Sequence, residues 1–170
     1  FDAAMALFFE QHAGLHSGAA AQVETWSFED AILDDLSEAQ FRRIPKNGEH
    51  SIAWTIWHLA RIEDTAMNIL IADSPQIFHL GGWQERLGVP YQDCGNELDE
   101  AYLDRLSQEI DLRVLREYRL AVGRRTRQIV ADLQAPDLKK KVDPARIQRV
   151  LDEGAITDAA RGITDYWSKR

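Results

Sequence analysis

The stretch Ser51-Ile-Ala-Trp-Thr-Ile-Trp-His-Leu-Ala-Arg-Ile-Glu-Asp-Thr-Ala-Met-Asn-Ile-Leu-Ile-Ala72 decides the fold. Ile52, Ile56, Leu59, Ile62, Ala66, Ile69 and Leu70 recur at helical spacing, so the reading is one long amphipathic helix. Asp73-Ser-Pro stops it, because proline cannot continue the hydrogen-bond ladder. Two polar residues interrupt its apolar stripe. His58 sits at the edge, flanked by Trp54 and Trp57, and Glu63 falls near the centre, between Leu59 and Ala66.

The same period continues on either side. Leu112, Leu115, Arg119, Val122, Thr126, Ile129 and Leu133 form a bundle seam on a helix predicted from about Ser107 to Leu133. A first helix is predicted from Asp2 to about Ala13, with Met5, Phe8, Phe9 and His12 on one face and Gly14 and Gly18 loosening its end. A last helix is predicted from Thr157, carrying Ala160, Ile163, Tyr166 and Trp167. It shows no stop signal before Arg170, so it reads as cut short there. Ser27, Ser37 and Asp143-Pro144 mark starts of short helices, and Pro45-Lys-Asn-Gly marks a turn. Residues 74–107, broken by Gly81-Gly82, Gly88-Val-Pro and Cys94-Gly-Asn, read as a long connection able to cover a site. The expectation is an all-α single domain over 1–170, with four principal helices and several short ones.

Composition narrows the function. The 20 Lys and Arg against 28 Asp and Glu leave a net charge of −8, which disfavours a wholly basic nucleic-acid binder. No apolar run approaches the length of a membrane span. The opening Phe1–Leu15 lacks the basic start of a secretion signal. The single cysteine, Cys94, excludes an internal disulfide and any Cys-rich zinc site. A reducing, cytoplasmic setting is expected.

The chemistry must come from few residues. His12 and His16 are four apart: on one helix face they can share a metal ion, or they can simply meet water. His58, if partly buried, must hydrogen-bond or ligate something. Glu63 needs a cation or donor, and Arg119 on the third helix supplies one if the two helices face each other. Alternatively Glu63 or Asp64 orients a histidine. Arg113, Arg116, Arg124, Arg125 and Arg127 are a solvated face or a contact for an anionic group.

Several stretches resemble the DinB-like superfamily: Ile52-Ala-Trp-Thr-Ile-Trp-His-Leu-Ala-Arg-Ile-Glu-Asp, Phe28-Glu-Asp-Ala-Ile-Leu-Asp-Asp-Leu leading to Pro45, Arg119-Leu-Ala-Val-Gly-Arg-Arg-Thr-Arg, and the closing Ala160–Arg170. That resemblance implies an up-down four-helix bundle, often a homodimer, holding a divalent metal through three histidines. It implies activities such as S-transfer from a low-molecular-weight thiol to an electrophile, isomerisation or hydrolysis. His58 matches the second-helix ligand, and His16, or its competitor His12, is the further ligand. The last-helix histidines of the family have no counterpart here. Imidazole ligands favour zinc or nickel. The competing expectation is a metal-free bundle acting as a binding or stress-response protein, its pocket filled by Trp54 and Trp57.

Overall fold

The computed structural model describes residues 1–22, 25–46, 50–97 and 99–169. The described residues form ten α-helices and no strands. They are α1 (Asp2–Leu15), α2 (Phe28–Leu33), α3 (Glu38–Arg42), α4 (Ile52–Asp64), α5 (Ile77–Leu80), α6 (Trp83–Leu87), α7 (Glu100–Glu109), α8 (Leu112–Asp132), α9 (Pro144–Asp152) and α10 (Gly162–Trp167). The all-α expectation holds. None of these helices is long and apolar enough to cross a membrane.

The caps explain most boundaries. Side-chain oxygens of Ser27, Ser51, Asp99, Asp111 and Asp143 accept from backbone amides at the starts of α2, α4, α7, α8 and α9. At α3, Gln40 Oε1 reaches back to the Ser37 amide at 2.9 Å. The turn signal at Pro45–Gly48 lies partly outside the described residues.

Three expectations need correction. The helix from Ser51 widens into a π-helical segment over Thr65–Ile71, where the backbone accommodates Asp64 and Asn68 bonded to each other and to the following loop. The third main helix does not begin at Ser107. Asp111 caps α8, and the preceding ten residues form a separate helix, α7, inside what reads as a loose connection. The last helix begins at Gly162 rather than at Thr157: the chain first runs through successive turns, with the Ala160 amide donating to the Thr157 carbonyl and the Arg161 amide to the Asp158 carbonyl.

The buried stripe of α4 is also rotated from the sequence reading. Ala53, Ile56, Trp57, Ala60, Arg61 and Asp64 face inward, whereas Leu59 is 47% exposed. Helices α4 and α8 pack against each other as the central pair. One apolar core lies between them and α5–α7, and a second surrounds the π segment, α9 and the stretch leading to α10.

Candidate metal centre

Helix α1 lies against α8 and the turn that follows it. None of its residues is buried. Its hold comes from polar contacts and from its last turn. Arg127 Nη1 donates to the Phe9 carbonyl at 3.1 Å, with the guanidinium 4.8 Å from the Phe9 ring centre. After His16 the chain reverses through Gly18, whose amide donates to Asp30 Oδ2 at 2.8 Å. These ties turn His12 and His16 toward α4.

There the two imidazoles stack, with ring centres 4.9 Å apart and planes 16° from parallel. His12 Nε2 lies 3.6 Å from Glu63 Oε1, and His16 Nε2 lies 3.7 Å from Glu63 Oε2. Those separations are too long for hydrogen bonds. Both nitrogens of both rings are buried without a hydrogen-bond partner among the described residues. Each buried unsatisfied group costs roughly 1–3 kcal/mol.

Helix α8 supplies the other side. Arg119 Nη1 donates to Glu63 Oε2, and its Nε donates to Glu29 Oε2 at 3.0 Å. Thr126 Oγ1 donates to Glu63 Oε1 at 2.6 Å. Burial pushes the Glu63 carboxyl up, but His12, Arg119, His16 and Thr126 together outweigh it and hold the pKa at about 2. Burial, reinforced by the Arg119 charge, lowers His16 to about 3. At neutral pH the centre therefore holds a carboxylate and a neutral His16 imidazole, the protonation states a metal ligand requires.

The three donors fit a divalent cation. One ligand atom from each of His12, His16 and Glu63 lies within 4.8 Å of the others. Tetrahedral bonds of about 2.1 Å place neighbouring ligand atoms about 3.4 Å apart, close to the His–Glu separations here. The two carboxylates, Glu63 and Glu29, outnumber the one guanidinium, so the cluster has excess negative charge for a cation to balance.

Histidine 58 stands apart from this cluster. It lies five residues before Glu63 on α4, which is about 7.5 Å along the axis and about 140° around it. Its Nδ1 donates to the Cys94 carbonyl at 2.6 Å, and its ring stacks on Trp54 at 4.7 Å. Among the described residues, His12 and His16 come within metal-ligand reach of a carboxylate, that of Glu63, and His58 is not part of that group. Trp54 is sandwiched between His50 and His58, and Trp57 is fully buried in the first core. Neither tryptophan lines any of the three described clefts.

Asp64 does not support a histidine. It is wholly buried and accepts from Tyr118 Oη at 2.6 Å, Asn68 Nδ2 at 2.7 Å, and the Ile77 and Phe78 amides, both at 2.9 Å. The equally buried Arg61 lies 3.4 Å from it, donates to Tyr118 Oη and the Gln92 carbonyl, and stacks on Phe78 at 4.1 Å. Burial raises the Tyr118 hydroxyl well above 10, so it remains a donor. The sequence reading missed Arg61 and Tyr118. The charge of Arg61 argues for an outward position, and only its place on the true inner stripe reveals it.

A cleft of about 540 Å³ opens beside the cluster. Ser17, Glu29, Leu36, Phe41, Arg116 and Leu120 line it, so one wall residue follows His16 and another holds Arg119. No residue of 74–107 lines it, contrary to the expectation that this connection covers the site. The α8 arginines mostly tie elements together: Arg116 pairs with Asp34, Arg113 with Glu117, Arg124 with the Ala19 carbonyl and Arg125 with Asn68.

An α-helical bundle whose central helices and first helix bury a His–His–Glu cluster defines the class. The chain belongs to the DinB superfamily, whose family model matches residues 23–160. Glu63, His58 and Arg119 lie within the match, whereas His12 and His16 precede it. No curated protein matches the chain.

Proposed function

We propose that the chain is a divalent-metal-dependent member of its superfamily, with the ion held by His12, His16 and Glu63. The observation that carries this reading is the pair of buried Nε2 atoms of His12 and His16, without hydrogen-bond partners among the described residues and 3.6 and 3.7 Å from the oxygens of an ionised carboxylate. Three protein ligands leave a position for a further molecule. A divalent ion there supplies Lewis acidity, lowering the pKa of a bound thiol or water. The reaction class is transfer of a small-molecule thiol to an electrophile, with zinc or nickel as the ion. The thiol rests on the family resemblance.

The chain's own residues set the geometry. Arg119 and Thr126 each bond one oxygen of Glu63 and fix its rotamer. Glu29 holds Arg119 from the other side and lines the cleft by which a substrate reaches the centre. The apolar wall of Leu36, Phe41 and Leu120 suits the carbon skeleton of an electrophile. A cytoplasmic homodimer accompanies this reading.

The test is consumption of a small thiol with a model electrophile by zinc- or nickel-loaded protein. Loss of turnover on chelation and in Glu63→Gln is expected. Equal turnover with and without metal overturns the reading. A second reading is a metal-free binding protein, favoured by Arg119, whose guanidinium already bonds Glu63. It predicts no retained metal after loading.

A further inference from the structure

We propose that Gly123 seats the His16 imidazole and is a positioning residue for the metal centre; the metal part of this inference rests on the reading above. Gly123 is buried midway along the 21-residue helix α8. Glycine in a helix interior costs about 1 kcal/mol relative to alanine. Its backbone is not in the left-handed region, so conformation gives no reason for it. The neighbouring ring does. A Cβ at this position would lie 2.9 Å from His16 Cδ2 and closer still to Cε1 and Nε2. The ring therefore rests directly on the helix backbone.

Its other neighbour is the His12 ring. His16 is held as a slab between that ring and α8, which leaves it little freedom to tilt. Arg119, Gly123 and Thr126 fall at i, i+4 and i+7, one face of the helix. That face presents a guanidinium to Glu63, bare backbone to His16 and a hydroxyl to Glu63. All three serve the cluster, and the middle one works by lacking a side chain. A methyl group there must drive the ring away from its place opposite Glu63. Ligand distances tolerate only about 0.2 Å.

The decisive experiment is a double-mutant cycle on chelator-treated full-length chain, followed by zinc titration. Gly123→Ala should lower the urea midpoint in the wild-type background and raise it in the His16→Ala background, where the ring is gone and alanine's better helix propensity acts alone. Should Gly123→Ala fail to fold, rescue of folding by His16→Ala carries the same meaning. Zinc affinity should weaken at least about tenfold in Gly123→Ala. Val122→Ala, one position earlier in the apolar core, should lose stability but retain zinc. A Gly123→Ala chain that is stabilised in both backgrounds, or that binds zinc as wild type does, overturns the proposal. Absence of zinc binding in wild type removes the metal reading. The sign reversal across the cycle still decides whether Gly123 seats His16.

Discussion

Two buried polar clusters lie between α4 and α8, and they are finished differently. Around Asp64, every polar partner is matched: the carboxylate accepts from Tyr118, Asn68 and two backbone amides, and Arg61 is bonded on several sides. Around Glu63, the carboxylate is bonded by Arg119 and Thr126, but the His12 and His16 Nε2 atoms that face it have no hydrogen-bond partner among the described residues, nor do the Nδ1 atoms of the same rings. A closed network of the first kind fixes structure. An open one of the second kind stores an unmet demand for a ligand. Orphaned atoms occur elsewhere, as at the indole nitrogens of Trp54 and Trp57, but those are single donors in aromatic packing. The grouping about one carboxylate distinguishes the His12–His16 site.

The comparison can be broken most severely at its closed end. Asp64→Ala leaves Arg61 buried and uncompensated, and should cost roughly 3–5 kcal/mol or prevent folding, as read by urea denaturation. Glu63→Gln keeps the shape and leaves Arg119 on Glu29. Its stability cost should be about 1–2 kcal/mol, whereas zinc binding should fall below detection by calorimetry. If Asp64→Ala proves the milder change, the assignment of structural and ligand-binding roles is reversed.

A third prediction concerns Cys94, which lies between α4 and α8 in sequence and is buried in the second core. Burial pushes its thiol from 9.0 up to about 11, despite opposition from the Arg61 charge. Above about pH 9 the unfolded chain sheds this proton while the folded chain keeps it. Stability is therefore complete below that pH and declines as pH rises through about 11, by about 3 kcal/mol in all. Urea midpoints across that range should fall less in Cys94→Ala. In native protein at pH 8, thiol reagents should react with Cys94 only on unfolding. The smallest effect belongs to the surface pair Arg116–Asp34, where Asp34→Ala should shift stability by less than about 1 kcal/mol.

Much of the fold is legible in the sequence, because caps and apolar period are local signals. Ser27, Ser37, Asp143 and the seam on α8 lie where the spacing places them. The rotation of α4 is not legible. Arg61 and Asp64 look like surface residues until their partners from α8 and the loop before α5 are known. The centre is half legible. His12 and His16 stand out by spacing, Glu63 by its place in an apolar stripe, and Arg119 by its seam position. Their convergence depends on how α1 docks, which the Arg127–Phe9 contact and the turn through Gly18 determine across long sequence distances. His58 has the strongest family resemblance, yet it lies outside the group gathered at Glu63, with its Nδ1 donating to the Cys94 carbonyl. Gly123 gives no signal in sequence beyond being glycine in a helix.

The central claim is tested most directly by equilibrium dialysis of the full-length chain against zinc, wild type beside His12→Ala/His16→Ala. The account predicts about one tightly held ion per wild-type chain and none in the double variant, in keeping with one three-donor centre. A wild-type chain that holds no zinc, or a double variant that holds as much as wild type, contradicts it.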